Sequence, residues 1–258
     1  MAAEKGSIQS VDKAVDLLDA MLSSRKPLSL KELSAITGFP KSTAHAFLNT
    51  MRNRHLLDQD EDGNYYFGIR VFEYGTAASL NTRFKFNLKP YLERLAQATG
   101  GTAYLSILDN HYVITFDYHK SDSEFSCNIN LGERMPIHAT SEGKVFLAYM
   151  ENRDAEKLLK AIDETGFQVF TSKTIANTED LLESLRDVKK NGYAVNQGEY
   201  KKEIISVSAP ILDKEGKVQF VIGCAGSFRW NALNEFLNIV NNVKYYAEEI
   251  TKLSNKKG

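Results

Sequence analysis

Lys41, Ser42, Thr43, His45, Asn49 and Arg52 crowd into one short stretch of the 258-residue chain. They are residue types suited to nucleic acid: cations and hydroxyls for phosphate oxygens, and an amide able to read an adenine edge. Between them Ala44, Phe47, Leu48 and Met51 recur at i, i+3, i+4 and i+7. A helix with that spacing turns its apolar residues inward and leaves Lys41, Ser42, His45, Asn49 and Arg52, together with Ala46, on its outer face. Thr43 serves equally as a helix-capping residue, and His45 as a solvated surface side chain.

Other groupings of reactive residues carry less. His111, His119, Cys127, His138 and Cys224 have no zinc-like spacing, so no metal is expected. His138 reads as a residue that orders its loop by hydrogen bonding. Gly143-Lys144 resembles the end of a phosphate loop, but His138 stands where that loop needs glycine. Neither G-x-S-x-G nor G-x-G-x-x-G occurs, and no cofactor or catalytic site is expected. The expectation is a protein that is not an enzyme.

The stretch Pro27–Asp58 must position the polar face. Ser29 with Glu32 makes a capping box for a first helix, whose apolar face is Leu30, Leu33 and Ile36, and Gly38 stops it. Pro40 suits the first turn of a second helix. Two short helices with a glycine-containing turn make a helix-turn-helix, the second of them able to lie in a DNA major groove. An earlier helix over 7–22 offers Val11, Ala14, Val15, Leu18 and Leu22 as its packing stripe, and residues 1–6 are expected to be loose. Two apolar runs around an acidic, glycine-containing turn, Leu56 to Phe67, read as a β-hairpin and complete a winged helix. The tip, with Asp58, Asp60, Glu61 and Asp62, would repel phosphate, so deep minor-groove entry is not expected.

A linker helix over 69–82 follows, then a helix carrying Leu88, Tyr91, Leu92, Leu95 and Ala96 and ending at Gly100-Gly101. The period then changes to two. Strands are expected over 102–108, 112–118, 125–130, 193–197, 204–212 and 218–227, with helices around 140–150, 154–164, 178–190 and 231–253. Strands of a mainly antiparallel sheet flanked by helices make an α+β sensor-type domain.

Composition sets the outer bounds. Net charge is −1, yet residues 1–57 hold eight Lys/Arg against five acids, so a modestly basic segment heads an acidic body. Two distant cysteines suggest no disulfide framework, and the lack of an apolar signal region or long apolar run points to the cytoplasm. No membrane association is expected.

The motifs Ser10-Val11-Asp12-Lys13-Ala14, Gly38-Phe39-Pro40-Lys41-Ser42-Thr43, Tyr66-Phe67-Gly68 and Gly132 through Lys144 (GERMPIHATSEGK) occur in this order, followed by Gly192-Tyr193-Ala194 and Ala209-Pro210-Ile211. In order and spacing the chain resembles the IclR family of bacterial transcriptional regulators over nearly its whole length. The resemblance implies an α+β protein with a winged helix-turn-helix over 1–68, a linker helix over 69–83 and a GAF-like effector-binding domain over 84–258. It implies a homodimer or dimer of dimers on double-stranded palindromic operators, controlled by a small organic acid, sugar acid or aromatic acid. By position, Ser141, Glu142, Asn196, Ser206, Gly223 and Ala225 would line the effector site.

Several of these depart from the family pattern. An acidic residue is frequent at Asn196, Cys at Ser206, Gly at Glu203, and small hydroxyl residues at Gly223 and Ala225. The missing hydroxyls remove donors for a carboxylate, which favours a bulkier or neutral ligand such as a sugar derivative. Ala46 stands where relatives often carry Arg, which leaves Lys41, Ser42, Thr43, His45 and Asn49 to read DNA. The alternative is a small-molecule enzyme or binding module whose winged helix makes protein contacts.

Overall fold

A computed structural model describes residues 8–81, 88–227 and 233–257, without the side chains of 78–81, 233–234 and 257. The expected loose N-terminus, the end of the linker helix and the start of the last helix lie outside the described residues. Contacts divide the chain into two compact units, Met1–Lys85 and Phe86–Gly258.

The first unit contains α1 (Gln9–Ser24), α2 (Leu30–Thr37), α3 (Lys41–Asn53), a hairpin of β1 (Leu57–Gln59) and β2 (Tyr65–Phe67), and α4 (Ile69–Asn81). Ser29 and Glu32 form the reciprocal capping box on α2. Gly38 ends α2 at φ 73°, a left-handed conformation that glycine adopts without strain. The Ser34 hydroxyl donates to the Phe39 carbonyl at 2.6 Å and fixes the turn. Pro40 sits one place before the helix as its N-cap, in an extended conformation that α3 then leaves.

Leu17, Met21, Leu33, Ala44, Leu48, Met51, Leu57 and Tyr65 form one buried cluster. In α1 the packing face differs from the expected stripe. Leu17, Ala20 and Met21 are buried, whereas Val11, Val15 and Leu22 are about half exposed. Ala14, Leu17, Leu18 and Met21 also satisfy the helical spacing, and the helix turns this neighbouring flank toward α2 and α3. Ile36 is likewise exposed, because Leu33 alone on α2 reaches the centre of the cluster.

The second unit begins with α5 (Lys89–Thr99), which Gly100 terminates. Its six-stranded antiparallel sheet has the order β5-β4-β3-β8-β7-β6. The strands are β3 (Thr102–Asp109), β4 (Tyr112–Lys120), β5 (Arg134–Pro136), β6 (Ala194–Gln197), β7 (Ile204–Leu212) and β8 (Val218–Ser227). Helices α6 (Ser141–Tyr149), α7 (Asn152–Thr165) and α8 (Thr178–Asn191) join β5 to β6, and α9 (Leu233–Lys257) packs on β7 and β8. The expected strand over 125–130 does not form. β3 covers that edge of β8 as far as Ala225, so this segment finds only the end of β8, with an isolated bridge from Ser126 to Gly226 and the Ser227 N–H donating to the Phe125 carbonyl. The Thr102 hydroxyl bonds the Cys127 carbonyl and amide in place of a ladder. The strand that pairs with β4 lies later, at Arg134–Pro136.

Candidate functional site

Helix α3 presents the first site. Lys41, Ser42, His45 and Arg52 are exposed, and Thr43 and Asn49 partly so, while Ala44, Leu48 and Met51 are buried. No side chain caps α3 at Pro40, so Thr43 does not act as a cap there. Its first-turn N–H groups carry the positive end of the helix dipole.

Arg52 does more than offer charge. Its guanidinium donates to the Gln59 side-chain oxygen at 2.7 Å and to Asn49 Oδ1 at 3.1 Å, and Gln59 Nε2 donates on to the Gly63 carbonyl. The outer face of α3 is thereby braced to the hairpin. At the tip Asp60 accepts from the Asn64 amide and side chain, which holds its carboxyl below the ordinary range. Part of the acidity seen in the sequence is therefore committed to the turn. Gln59 carried no signal of this role, since it reads as one more polar wing residue.

The second site is a cavity in the second unit with about 560 Å³ of atom-free space, open at its mouth. Tyr104, Thr115, Glu142, Asn196, Ser206 and Ala225 line it from the sheet and α6, and residues of 127–135 and 200–204 complete it. Its polar wall is a buried cluster. Ser141 Oγ donates to Glu142 Oε2 at 3.0 Å and lies 2.7 Å from Ser206 Oγ and 2.8 Å from Ser208 Oγ; the Tyr104 hydroxyl lies 2.9 Å from Ser208 Oγ. Burial pushes the Glu142 carboxyl above its ordinary range and the Tyr104 phenol well above.

Five of the six residues anticipated for this site meet here, but in different roles. Glu142, Asn196, Ser206 and Ala225 reach the cavity, and Ser141 stands behind Glu142 and Ser206 as their link. The Asn196 amide is engaged on both sides, donating to the Ala139 carbonyl and accepting from the Glu199 N–H. Gly223 does not line the space. A Cβ there would lie 2.4 Å from the Tyr104 ring, so the glycine makes room for that ring. Tyr104 and Ser208 were missed because each looks like ordinary strand interior.

Behind this wall Lys144 Nζ contacts Glu199 Oε1 at 2.6 Å and the Val195 carbonyl at 3.1 Å, with both side chains buried. The Thr171 and Thr174 hydroxyls hold the backbone at Glu199. His138 orders a neighbouring loop, its Nε2 3.0 Å from the Gln168 carbonyl and its ring against Phe167. Cys224 lies beside Thr99, and burial pushes its thiol up to about 12, which leaves it an unreactive core group.

A family profile described as the IclR helix-turn-helix domain matches residues 10–61, and one described as bacterial transcriptional regulator IclR C-terminal matches residues 78–252. The chain belongs to the IclR family. It is 30% identical to the HTH-type transcriptional regulator XynR of Escherichia coli over 214 residues, covering 82% of this chain and 83% of that protein. It is also 30% identical to the HTH-type transcriptional regulator KdgR of Dickeya chrysanthemi over 225 residues, 86% of this chain and 71% of that protein. Among solved structures, an IclR transcriptional regulator from Alicyclobacillus acidocaldarius superposes with a TM-score of 0.83 at 24% identity, covering 96% of this chain and all of that one. An IclR homologue from Microbacterium hydrocarbonoxydans, complexed with 4-hydroxybenzoate, gives 0.79 at 20% identity, covering 96% and 100%. At these identities the two structures establish the fold. As an IclR-family transcriptional regulator, the protein pairs a helix-turn-helix DNA-binding domain with a C-terminal effector domain. Among the described residues no helix is long and apolar enough to cross a membrane.

Proposed function

We propose that residues 1–68 read double-stranded operator DNA, 69–83 connect, and 84–258 bind a small metabolite that sets operator affinity, with the protein acting in the cytoplasm as a homodimer or dimer of dimers. The observation that carries this reading is the outer face of α3, exposed and polar on a buried apolar backing. Lys41, Ser42 and Thr43 stand at the uncapped start of the helix for phosphate, His45 and Asn49 face outward for base edges, and Arg52 adds charge while bracing the wing. The effector, an organic acid, sugar acid or sugar derivative, occupies the cavity beside Glu142, Ser206, Asn196 and Ala225, with Ser141 and Gly223 supporting the wall. A relative solved with 4-hydroxybenzoate supports a small-molecule effector in this fold. Control follows if effector binds one arrangement of paired heads better than another, since affinity shifts by that difference.

The test is binding to DNA upstream of the protein's own gene at two salt concentrations. Asn49→Ala is expected to cost about 1–3 kcal/mol at the correct site. Lys41→Ala is expected to weaken all sequences alike and reduce the salt slope by about one. Folded variants that both bind as tightly as the parent would overturn the assignment of α3.

A further inference from the structure

We propose that the cavity takes an uncharged polyhydroxylated ligand, whose hydroxyls bond Glu142 and Ser206. This rests on the reading of the cavity as the effector site and names its ligand class.

Charge is the first argument. Lys201 is the one cation among the described lining residues, and it lies 3.5 Å from Glu133 Oε2, which also carries a hydrogen bond from Asn130; Oε1 of the same carboxylate accepts from the Tyr200 hydroxyl. Glu142 supplies a second carboxyl. A ligand carboxylate would meet the Glu133 carboxylate and a cation already paired with it, and desolvating an unpaired anion is costly.

Hydrogen-bond capacity is the second. Ser141 Oγ has four polar neighbours, the side chains of Tyr104, Glu142, Ser206 and Ser208. A hydroxyl gives one hydrogen bond and accepts two, so one of these contacts is surplus. Ser206, which lines the cavity, can turn to a ligand without leaving Ser141 unsatisfied. Burial favours the protonated form of Glu142, and a carboxylic acid both donates and accepts, matching the two-way capacity of a sugar hydroxyl. Ile129, Met135, Ile204 and Ala225 add an apolar lining for the C–H face of a ring.

The experiment is calorimetric titration of the full-length protein with D-xylose, D-glucose and D-galactose, each paired with its aldonate, and with 4-hydroxybenzoate. One aldose is expected to bind about tenfold or more tighter than its aldonate, a difference of about 1.4 kcal/mol. Glu142→Gln, whose amide keeps a donor and an acceptor, is expected to hold that aldose within about threefold, and Glu142→Leu to lose about tenfold. Ala225→Trp, with its fold checked by thermal unfolding, is expected to abolish binding. Tighter binding of an aldonate or of 4-hydroxybenzoate overturns the ligand class, and leaves the effector site standing if Ala225→Trp abolishes it. Aldose binding that survives Ala225→Trp places the ligand elsewhere and overturns both readings. An absence of binding by every compound overturns the ligand class.

Discussion

The α3 face and the cavity wall are both polar, yet they are built in opposite ways. On α3 the polar side chains stand in solvent on an apolar backing, and Arg52, which bonds Asn49, reaches beyond the helix to Gln59. In the cavity wall around Ser141 the polar groups are buried and answered by one another: Tyr104, Ser141, Ser206 and Ser208 share hydrogen bonds and Asn196 is engaged twice, while behind the wall Lys144 holds Glu199. A face that reads a wet, charged partner can exchange water for that partner. A wall that holds a small molecule out of water must satisfy itself beforehand.

The strongest test of that contrast is Lys144→Met. Removing the cation leaves Glu199 buried without its counter-charge, and the loss expected is about 3–5 kcal/mol in the stability of the second unit. Pairing it with Glu199→Leu should recover most of the loss. Urea unfolding of both variants measures it, and a single variant no worse than a surface substitution would break the comparison.

Next in size is Glu142→Gln. Burial raises the folded-state pKa of Glu142 above its ordinary value near 4.5, so the native state holds this proton more tightly than the unfolded chain. That contribution is fully present below about pH 4.5 and is lost as pH rises through the raised value. The amide cannot ionise, so the variant should be more stable than the parent at neutral pH. The two should converge in acid, as urea midpoints across pH would show.

Smallest is Arg52→Ala. Its two hydrogen bonds lie in solvent, and about 0.5–1 kcal/mol of the first unit's stability should go with them. Unfolding of the second unit should not change. A loss as large as that of Lys144→Met would mean that the exposed face is as interdependent as the buried wall.

The same contrast explains what could be read in advance. The capping box at Ser29, the stop at Gly38 and the inward set Ala44, Leu48 and Met51 are local patterns, and the sequence displays them directly. The choice between flanks of α1 is not local. Val11, Val15 and Leu22 fit a helical stripe as well as Leu17 and Met21 do, and only packing against α2 and α3 separates them. The segment 125–130 has strand composition, but β3 leaves it only the end of β8, beyond Ala225, to pair with. In the cavity, Ser141 and Ser208 come together across 67 positions of chain and Lys144 meets Glu199 across 55, distances at which spacing carries no information. Gly223 was expected to line the effector site but instead makes room for the Tyr104 ring, which the sequence does not show must lie over it.

The brace from Asn49 through Arg52 and Gln59 to Gly63 has a mechanical meaning. It ties the outer face of the helix to the hairpin by side chains as well as through the buried core. Moving the hairpin away from the outer face of α3 would therefore require breaking these bonds.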